Sequence, residues 1–313
     1  MASTWTADRM PDCTGTTVLI TGANSGLGFE ATKALAANGA TVIMACRSTD
    51  RGEQAAAEIQ DATAVGEAAL DVRQCDLASL ASVEAVAEDI AENYDALDVL
   101  CNNAGVMALP RQETDDGFEK QLGVNHLGHF ALTGRLLDLL VESDGESRVV
   151  THSSGAHEFG ELDFDDLQRE QSYGRWDAYG QSKLANLLFA YELQRRLTAA
   201  DITDTISVAC HPGYAATNLQ YRGPKEDGST LRMAMMKVAN AVVGQSAQRG
   251  ALPLLYASVA AGVGGGEYYG PGGLLNMRGA PERQSSNEAS YDKRDARRLW
   301  EESESLTGVT YSF

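Results

Sequence analysis

Short apolar runs recur along the chain, separated by polar stretches of helical length. Thr17–Thr21 (TVLIT) is rich in β-branched residues and runs straight into glycine-rich sequence. Thr41–Ala45 (TVIMA), Ala69–Cys75, Leu97–Cys101, Arg148–His152 and Thr205–Ala209 repeat the strand-like pattern. Between them, helical patterns cover Leu27–Ala37 (closed by Asn38-Gly39), Asp50–Gln60, Ser79–Tyr94, Phe118–Val141 and Ala178–Leu197. Strands alternating with helices of this length predict βαβ units, hence an α/β fold with a parallel sheet covered on both faces. Right-handed crossovers then make the sheet doubly wound, with ligands bound outside the carboxyl ends of its strands.

Beyond Pro212 the rhythm changes. Residues 214–250 are rich in Gly, Met and charge, with a helical patch at Leu231–Val243. This stretch reads as a substrate lid or as surface packing. GVGGGEYYGPGG at 262–273 predicts a turn into a last short strand at Tyr268–Tyr269, and residues 288–306 predict an amphipathic C-terminal helix. No internal repeat or linker divides the chain, so a single domain over 1–313 is expected.

Composition narrows the classes. The 313 residues are 43% hydrophobic, enough for a sizeable core, and carry 44 acidic against 25 basic residues, a net charge of −19. So acidic a surface repels nucleic acid and anionic membrane, which are excluded as partners. Only six of the basic residues are Lys. Heavy acid with little Lys fits a salt-adapted cytoplasm, where ions screen self-repulsion; the plainer alternative is an ordinary acidic enzyme. Five scattered cysteines without a C-x-x-C fit a reducing compartment rather than a disulfide framework or zinc site. The N-terminus lacks the apolar stretch of a signal peptide, and the longest apolar candidate, Leu252–Val263, contains Pro253 and is too short to span a bilayer. A cytoplasmic protein with no membrane anchor is expected.

The first strand ends in Thr21-Gly22-Ala23-Asn24-Ser25-Gly26-Leu27-Gly28. Gly22, Gly26 and Gly28 permit a sharp turn and close approach of a pyrophosphate, which then sits on a helix N-terminus. The spacing is G-x-x-x-G-x-G. Folds of this kind that prefer NAD carry an acid about 20 residues onward for the ribose 2′-hydroxyl. This chain has Ala45-Cys46-Arg47-Ser48 there. Arg47 suits a 2′-phosphate, with Asn24 or Ser48 adding hydrogen bonds, so NADP(H) is expected over NAD(H). Asp76-Leu77 after the third strand suits the adenine end, and Asn103-Ala104-Gly105 after the fourth offers small residues for close approach.

Tyr179 and Lys183 stand at i and i+4 on a helix and share one face. A phenol is a poor acid–base at neutral pH; an ammonium one turn away lowers its pKa and makes it usable. Together with the glycine motif, Asn102-Asn103-Ala104-Gly105 and Ser153-Ser154, the pattern resembles the short-chain dehydrogenase/reductase family over roughly residues 14–300. It is closer still to that family's retinol-dehydrogenase-like branch, through Val124-Asn-His-Leu-Gly-His-Phe130, Ser153-Ser-Gly-Ala-His157, Tyr179-Gly-Gln-Ser-Lys-Leu-Ala-Asn186 and His211-Pro-Gly213.

The resemblance implies a single Rossmann-type domain and an NADP(H)-dependent oxidoreductase interconverting a carbonyl and an alcohol. Ser154 would orient the substrate oxygen, Tyr179 exchange its proton, Lys183 hold the nicotinamide ribose, and Asn125 support a water-linked relay. The choice between Ser153 and Ser154 stays open; the branch favours the second, 25 residues before Tyr179. Pro212, Gly213 and Thr217 would line the nicotinamide end. Homodimers or homotetramers through the helices at 118–141 and 178–197 are common in the family. Tyr221, Met233, Met235 and Met236 suggest an apolar, adaptable pocket wall for a small-molecule substrate, although Met at helical spacing is more often core. The alternatives are an NADP(H)-sensing regulator, which would usually lack the Tyr/Lys pair, and a sugar-nucleotide epimerase, which would usually show other glycine spacing. His126 and His129, at i and i+3, lack the further ligands of a metal site and read as helix-packing or polar core residues.

Overall fold

The computed structural model describes residues 5–213 and 246–313. One eight-stranded sheet organises them, in the order β3-β2-β1-β4-β5-β6-β7-β8. The strands are β1 Thr17–Thr21, β2 Thr41–Cys46, β3 Leu70–Gln74, β4 Val99–Asn102, β5 Ser147–His152, β6 Thr205–Cys210, β7 Tyr268–Pro271 and β8 Pro281–Gln284. Seven run parallel, with α1 (Gly26–Ala37), α2 (Thr49–Thr63) and α3 (Leu80–Asn93) as the first crossovers. The expected doubly wound α/β sheet is therefore observed. Its direction of winding reverses at β1, which pairs with β2 on one side and β4 on the other. That reversal opens the crevice at the carboxyl ends of the strands.

The apolar runs are explained by two cores. Val18 and Ile20 of β1 and Val42 and Met44 of β2 join Leu35, Ile59, Leu254 and Leu255 on one face. Leu19, Ile43, Leu100 and Val149 join Val83, Ile90, Leu132, Phe189 and Trp300 on the other. Successive strand residues point to opposite faces, so a strand buried on both must be apolar throughout.

Five features differ from the sequence expectation. β8 runs antiparallel to β7 and was not expected at all. Its sequence, PERQ, is polar because it is a half-exposed edge, and Pro281 occupies a position an edge strand tolerates. The single helix expected over 118–141 is divided. A helical turn at Lys120–Leu122 leads into a π-helical turn at Gly123–Leu127, then α4 (Gly128–Arg135), a break at Leu136 and α5 (Leu137–Val141). Gly128 donates its N–H to Gly123 O, five residues back, and a Cβ at Gly128 would stand 2.6 Å from Leu77 O. The wider turn lets the chain pass close to the loop after β3.

Helix α6 (Arg175–Ala199) is longer than expected, and α7 (Leu252–Val259) was not foreseen; Pro253 starts that helix rather than breaking it, at a position where its missing N–H costs nothing. The C-terminal helix is split into a 3₁₀ turn at Glu288–Tyr291 and α8 (Lys293–Thr307), because Asp292 turns out to cap α8 by accepting from Arg294 N and Asp295 N. Residues 214–245, with Thr217, Tyr221, the three methionines and most of the suggested lid, lie outside the described residues. Among the described residues no helix is long and apolar enough to cross a membrane.

Helix α8 packs along α6. Its Trp300 is 2% exposed and stacks on Phe189 at 5.8 Å, with Phe130 and Tyr311 at 5.1 and 4.5 Å. Trp300→Ala removes the centre of this cluster and is expected to cost about 3–5 kcal/mol, read as a fall in the denaturant midpoint.

Candidate active site

The turn after β1 is shaped for a ligand that comes close to backbone. Gly22 and Gly26 have φ of +69° and +58°, which side-chain-bearing residues rarely adopt. A Cβ on Gly28 would collide with Gly22 O and with the Asn103 amide nitrogen. Helix α1 begins here, and its N-cap Ser25 makes no capping hydrogen bond, leaving the first N–H groups aimed into the crevice. A cavity of about 560 Å³ opens above it. Gly22, Asn24, Ser25, Gly26, Leu27, Gly28, Arg47, Asp76, Leu77, Asn103, Ala104 and Gly105 all line it, as does Ser48. These residues, with uncapped N–H groups at one end and cations at the other, fit a nicotinamide dinucleotide.

At the far end Arg47 is exposed at the tip of β2, and Ser48 caps α2, accepting from Arg51 N. Arg51 also lines the cavity and was missed by the sequence reading; one turn from Arg47, its place in the first turn of α2 was the available signal. Asp76 spends one carboxylate oxygen on Ala78 N and takes its shape from that Asx turn.

The chemical groups stand on α6 and β5. Tyr179 is buried, with Ser154 hydrogen-bonded to its phenol. Ser154 follows β5 and also accepts from Ala156 N at 3.3 Å. Ser153 is committed elsewhere: its hydroxyl donates to Lys183 O at 2.8 Å and its N–H to Cys210 O at 2.7 Å. Of the two serines, only Ser154 meets the phenol. Lys183 lies within 5.8 Å of the Tyr179 ring and its ammonium donates to His152 O at 3.2 Å. Asn186 donates to the same carbonyl at 2.9 Å.

Electrostatics here depart from the simple expectation. Burial pushes the Tyr179 phenol up to about 12, with the Ser154 hydroxyl pulling the other way, and pushes the Lys183 ammonium down to about 8. Desolvation penalises both charged forms.

Asn125 sits in the π-helical turn, fully buried. Its Oδ1 accepts from Val106 N at 2.8 Å, and its Nδ2 donates to Val106 O at 3.0 Å and Ser182 Oγ at 2.9 Å. The side chain thus clamps the loop after β4 to α6. A side chain at Gly105 in that loop would be tight: a Cβ would lie 3.0 Å from Asn125 Oδ1 and 3.6 Å from Lys183 Nζ. Pro212 and Gly213 follow β6, with Gly213 at φ +65°. Sequence reasoning passed over His157, three residues after Ser154. Its Nδ1 donates to Ser154 O at 2.6 Å, while Asn287, 130 residues away, donates to its Nε2. Only the fold brings that pair together. Among the described residues no group of three or more His, Cys, Asp or Glu is placed to hold a metal ion.

A sequence model of short chain dehydrogenases matches residues 16–227. Mouse retinol dehydrogenase 14 is 40% identical over 305 residues, covering 94% of this chain and 86% of that protein. Human retinol dehydrogenase 13 is 41% identical over 298 residues, covering 94% and 85%. Among solved structures, an uncharacterised protein from Mycobacterium paratuberculosis matches with a TM-score of 0.81 and 41% identity over 99% of this chain and 100% of that one. A Shigella flexneri protein described as a short chain dehydrogenase complexed with NADP shares the fold, with a TM-score of 0.62 and 22% identity over 83% and 98% of the chains.

All five histidines are buried and lie in or beside the site. Burial holds His126 and His152 at about 3, and His129 and His211 at about 4. The unfolded chain takes up these protons below about pH 6.5, whereas the folded chain resists them, so their contribution is intact above about 6.5 and lost as pH falls toward 4. Urea unfolding followed from pH 7 to 4.5 is expected to show a steadily falling midpoint, with uptake of up to about four protons on unfolding.

Proposed function

The chain belongs to the short-chain dehydrogenase family, and we propose that it is an NADP(H)-dependent oxidoreductase that interconverts an apolar carbonyl compound and its alcohol, with Tyr179 as general acid–base. One observation carries this reading. The glycine-lined cavity reaches Gly105, whose missing side chain would stand 3.6 Å from the Lys183 ammonium, and Lys183 shares a helix face with Tyr179. A dinucleotide held by the glycines therefore brings its reactive end to the phenol.

Bound there, the nicotinamide ring supplies or accepts the hydride. The protein does the rest. Gly22, Gly26 and Gly28 admit the pyrophosphate to the α1 N-terminus, and Arg47 with Arg51 pairs the 2′-phosphate. Ser154 donates to the substrate oxygen, Tyr179 passes its proton to that oxygen in reduction and recovers it in oxidation, and Lys183 holds the ribose and offsets the phenolate. Asn125 keeps the loop after β4 in place against α6, and Gly213 closes the nicotinamide end. The retinol dehydrogenases among the relatives and two exposed aromatic rings support an apolar substrate. Trp176 stacks edge-on to Tyr179 at 6.0 Å, and Phe159 lies against Gly180 beside it.

NADPH oxidation at 340 nm with a panel of aldehydes and ketones, retinal included, tests the reading. Tyr179→Phe is expected to slow turnover by about 10²–10⁴-fold while NADPH binding, followed by fluorescence, stays within a few-fold. A variant retaining more than about a tenth of the rate refutes the role. Arg47→Ala is expected to weaken NADPH binding by about tenfold and leave NADH binding unchanged, since only the charge-assisted bonds to the 2′-phosphate are lost.

A further inference from the structure

The loop after β4 and the turn containing Asn125 are tied to the cofactor turn by one imidazole. His129, on the first turn of α4, is 1% exposed. Its Nδ1 is 3.0 Å from Asn125 O and its Nε2 is 2.8 Å from Thr21 Oγ1. A carbonyl only accepts, so Nδ1 carries the proton. The ring is neutral, its pKa held down at about 4 by burial and by the Lys183 charge, which leaves Nε2 with a bare lone pair. The Thr21 hydroxyl then donates into it. Cys101 O, at 3.2 Å, is the longer alternative for that proton. With its proton spent, the hydroxyl turns its lone pairs to Asn103 N and Ala104 N, at 3.0 and 2.9 Å. Asn103 in turn donates from Nδ2 to Thr21 O at 2.8 Å and accepts from His152 Nδ1 at 3.1 Å.

We propose that His129 is a positioning residue for hydride transfer, its two ring nitrogens coupling the cofactor-binding turn at Thr21 to the Asn125 turn beside the Tyr179 helix. This rests on reading the cavity as a nicotinamide-dinucleotide site. His129 touches neither cofactor nor substrate; it acts through Thr21 on the Asn103–Gly105 loop that lines the cavity, and through Asn125 on the loop's anchorage to α6. The two bonds are separable. Asn at this position presents a nitrogen where Nδ1 stands and cannot reach Thr21. Gln reaches Thr21 and gives up the bond to Asn125 O.

The test compares His129→Phe, His129→Asn and His129→Gln with the unaltered protein. NADPH affinity is measured by fluorescence titration, the hydride-transfer rate by single turnover with saturating NADPH, and the fold by melting temperature. Phe is expected to weaken NADPH binding and slow transfer, each by about five- to tenfold. Gln is expected to restore most of the affinity but not the rate, and Asn most of the rate but not the affinity. The Asn and Gln variants keep a polar group in the buried site and carry the comparison alone should Phe fail to fold. Three patterns overturn the proposal: affinity and rate within twofold of the unaltered protein in Asn and Gln alike, equal rescue of both quantities by both, or losses that merely follow the melting temperature. Failure of the unaltered protein to bind NADPH overturns the cofactor reading itself, whereas binding with no split between Asn and Gln removes only the role of His129.

Discussion

A hydroxyl has one proton to give and two lone pairs to fill, and at Thr21 all three are spent. The residue ends the central strand β1, and its main-chain oxygen accepts from Asn103 while its hydroxyl meets the amides of Asn103 and Ala104 and the ring of His129. These contacts bridge β1 and β4 where the winding of the sheet reverses and two neighbouring crossovers part to leave a crevice. Strands on either side are fixed by ladder hydrogen bonds and two apolar cores. At the crevice no ladder continues, and side chains must define the geometry. The shape of the cavity and the place of the α6 residues relative to it both follow from this small polar junction.

Around that junction the protein accepts a large desolvation cost. In and beside the site burial drives a lysine, a tyrosine and four histidines toward their neutral forms. Main-chain carbonyls answer much of this: His152 O serves Lys183 and Asn186, Asn125 O serves His129, and Ser154 O serves His157. Carbonyl oxygens are fixed by the backbone and need no reorganisation, so they orient a proton-bearing ring or ammonium without adding a second ion to be buried. The arrangement leaves Tyr179 and Lys183 in a site where a small change of local charge has a large effect on protonation.

The parallel strands were legible because burial on both faces forces uninterrupted apolar sequence, and the glycine turn because positive φ admits few other residues. Tyr179 and Lys183 were legible because helical spacing places them on one face whatever else the fold does. The structure gathers these residues, with Ser154 and the loop at 103–105, around one crevice. What was not legible depends on contacts without a local signature. PERQ reads as loop until β7 lies beside it. The π-helical turn at 123–127 needs Leu77 pressed against Gly128 to be intelligible, and the partner of His129, a packing or polar core residue by sequence, is unknown until Thr21, 108 residues earlier, is seen against its ring. Helical spacing carries no sign of burial depth, and it is desolvation that raises the Tyr179 phenol and lowers the Lys183 ammonium.

The dense cluster about Trp300 has one more implication, concerning the order of events during synthesis. The core on the α6 face holds Leu19 and Ile43 from the start of the chain together with Trp300 and Val309, and Tyr311 and Val309 fill the notch that Gly134 leaves on α4. That face is therefore completed only once residues 299–311 have left the ribosome. Until then a growing chain carries α6 with a broad apolar side uncovered, a surface that invites chaperones or self-association. The opposite core, closed by α1, α2 and α7, does not wait for them. The two sides of a single sheet thus mature at different times, and the side that matures last is the one on which His129 and α6 stand.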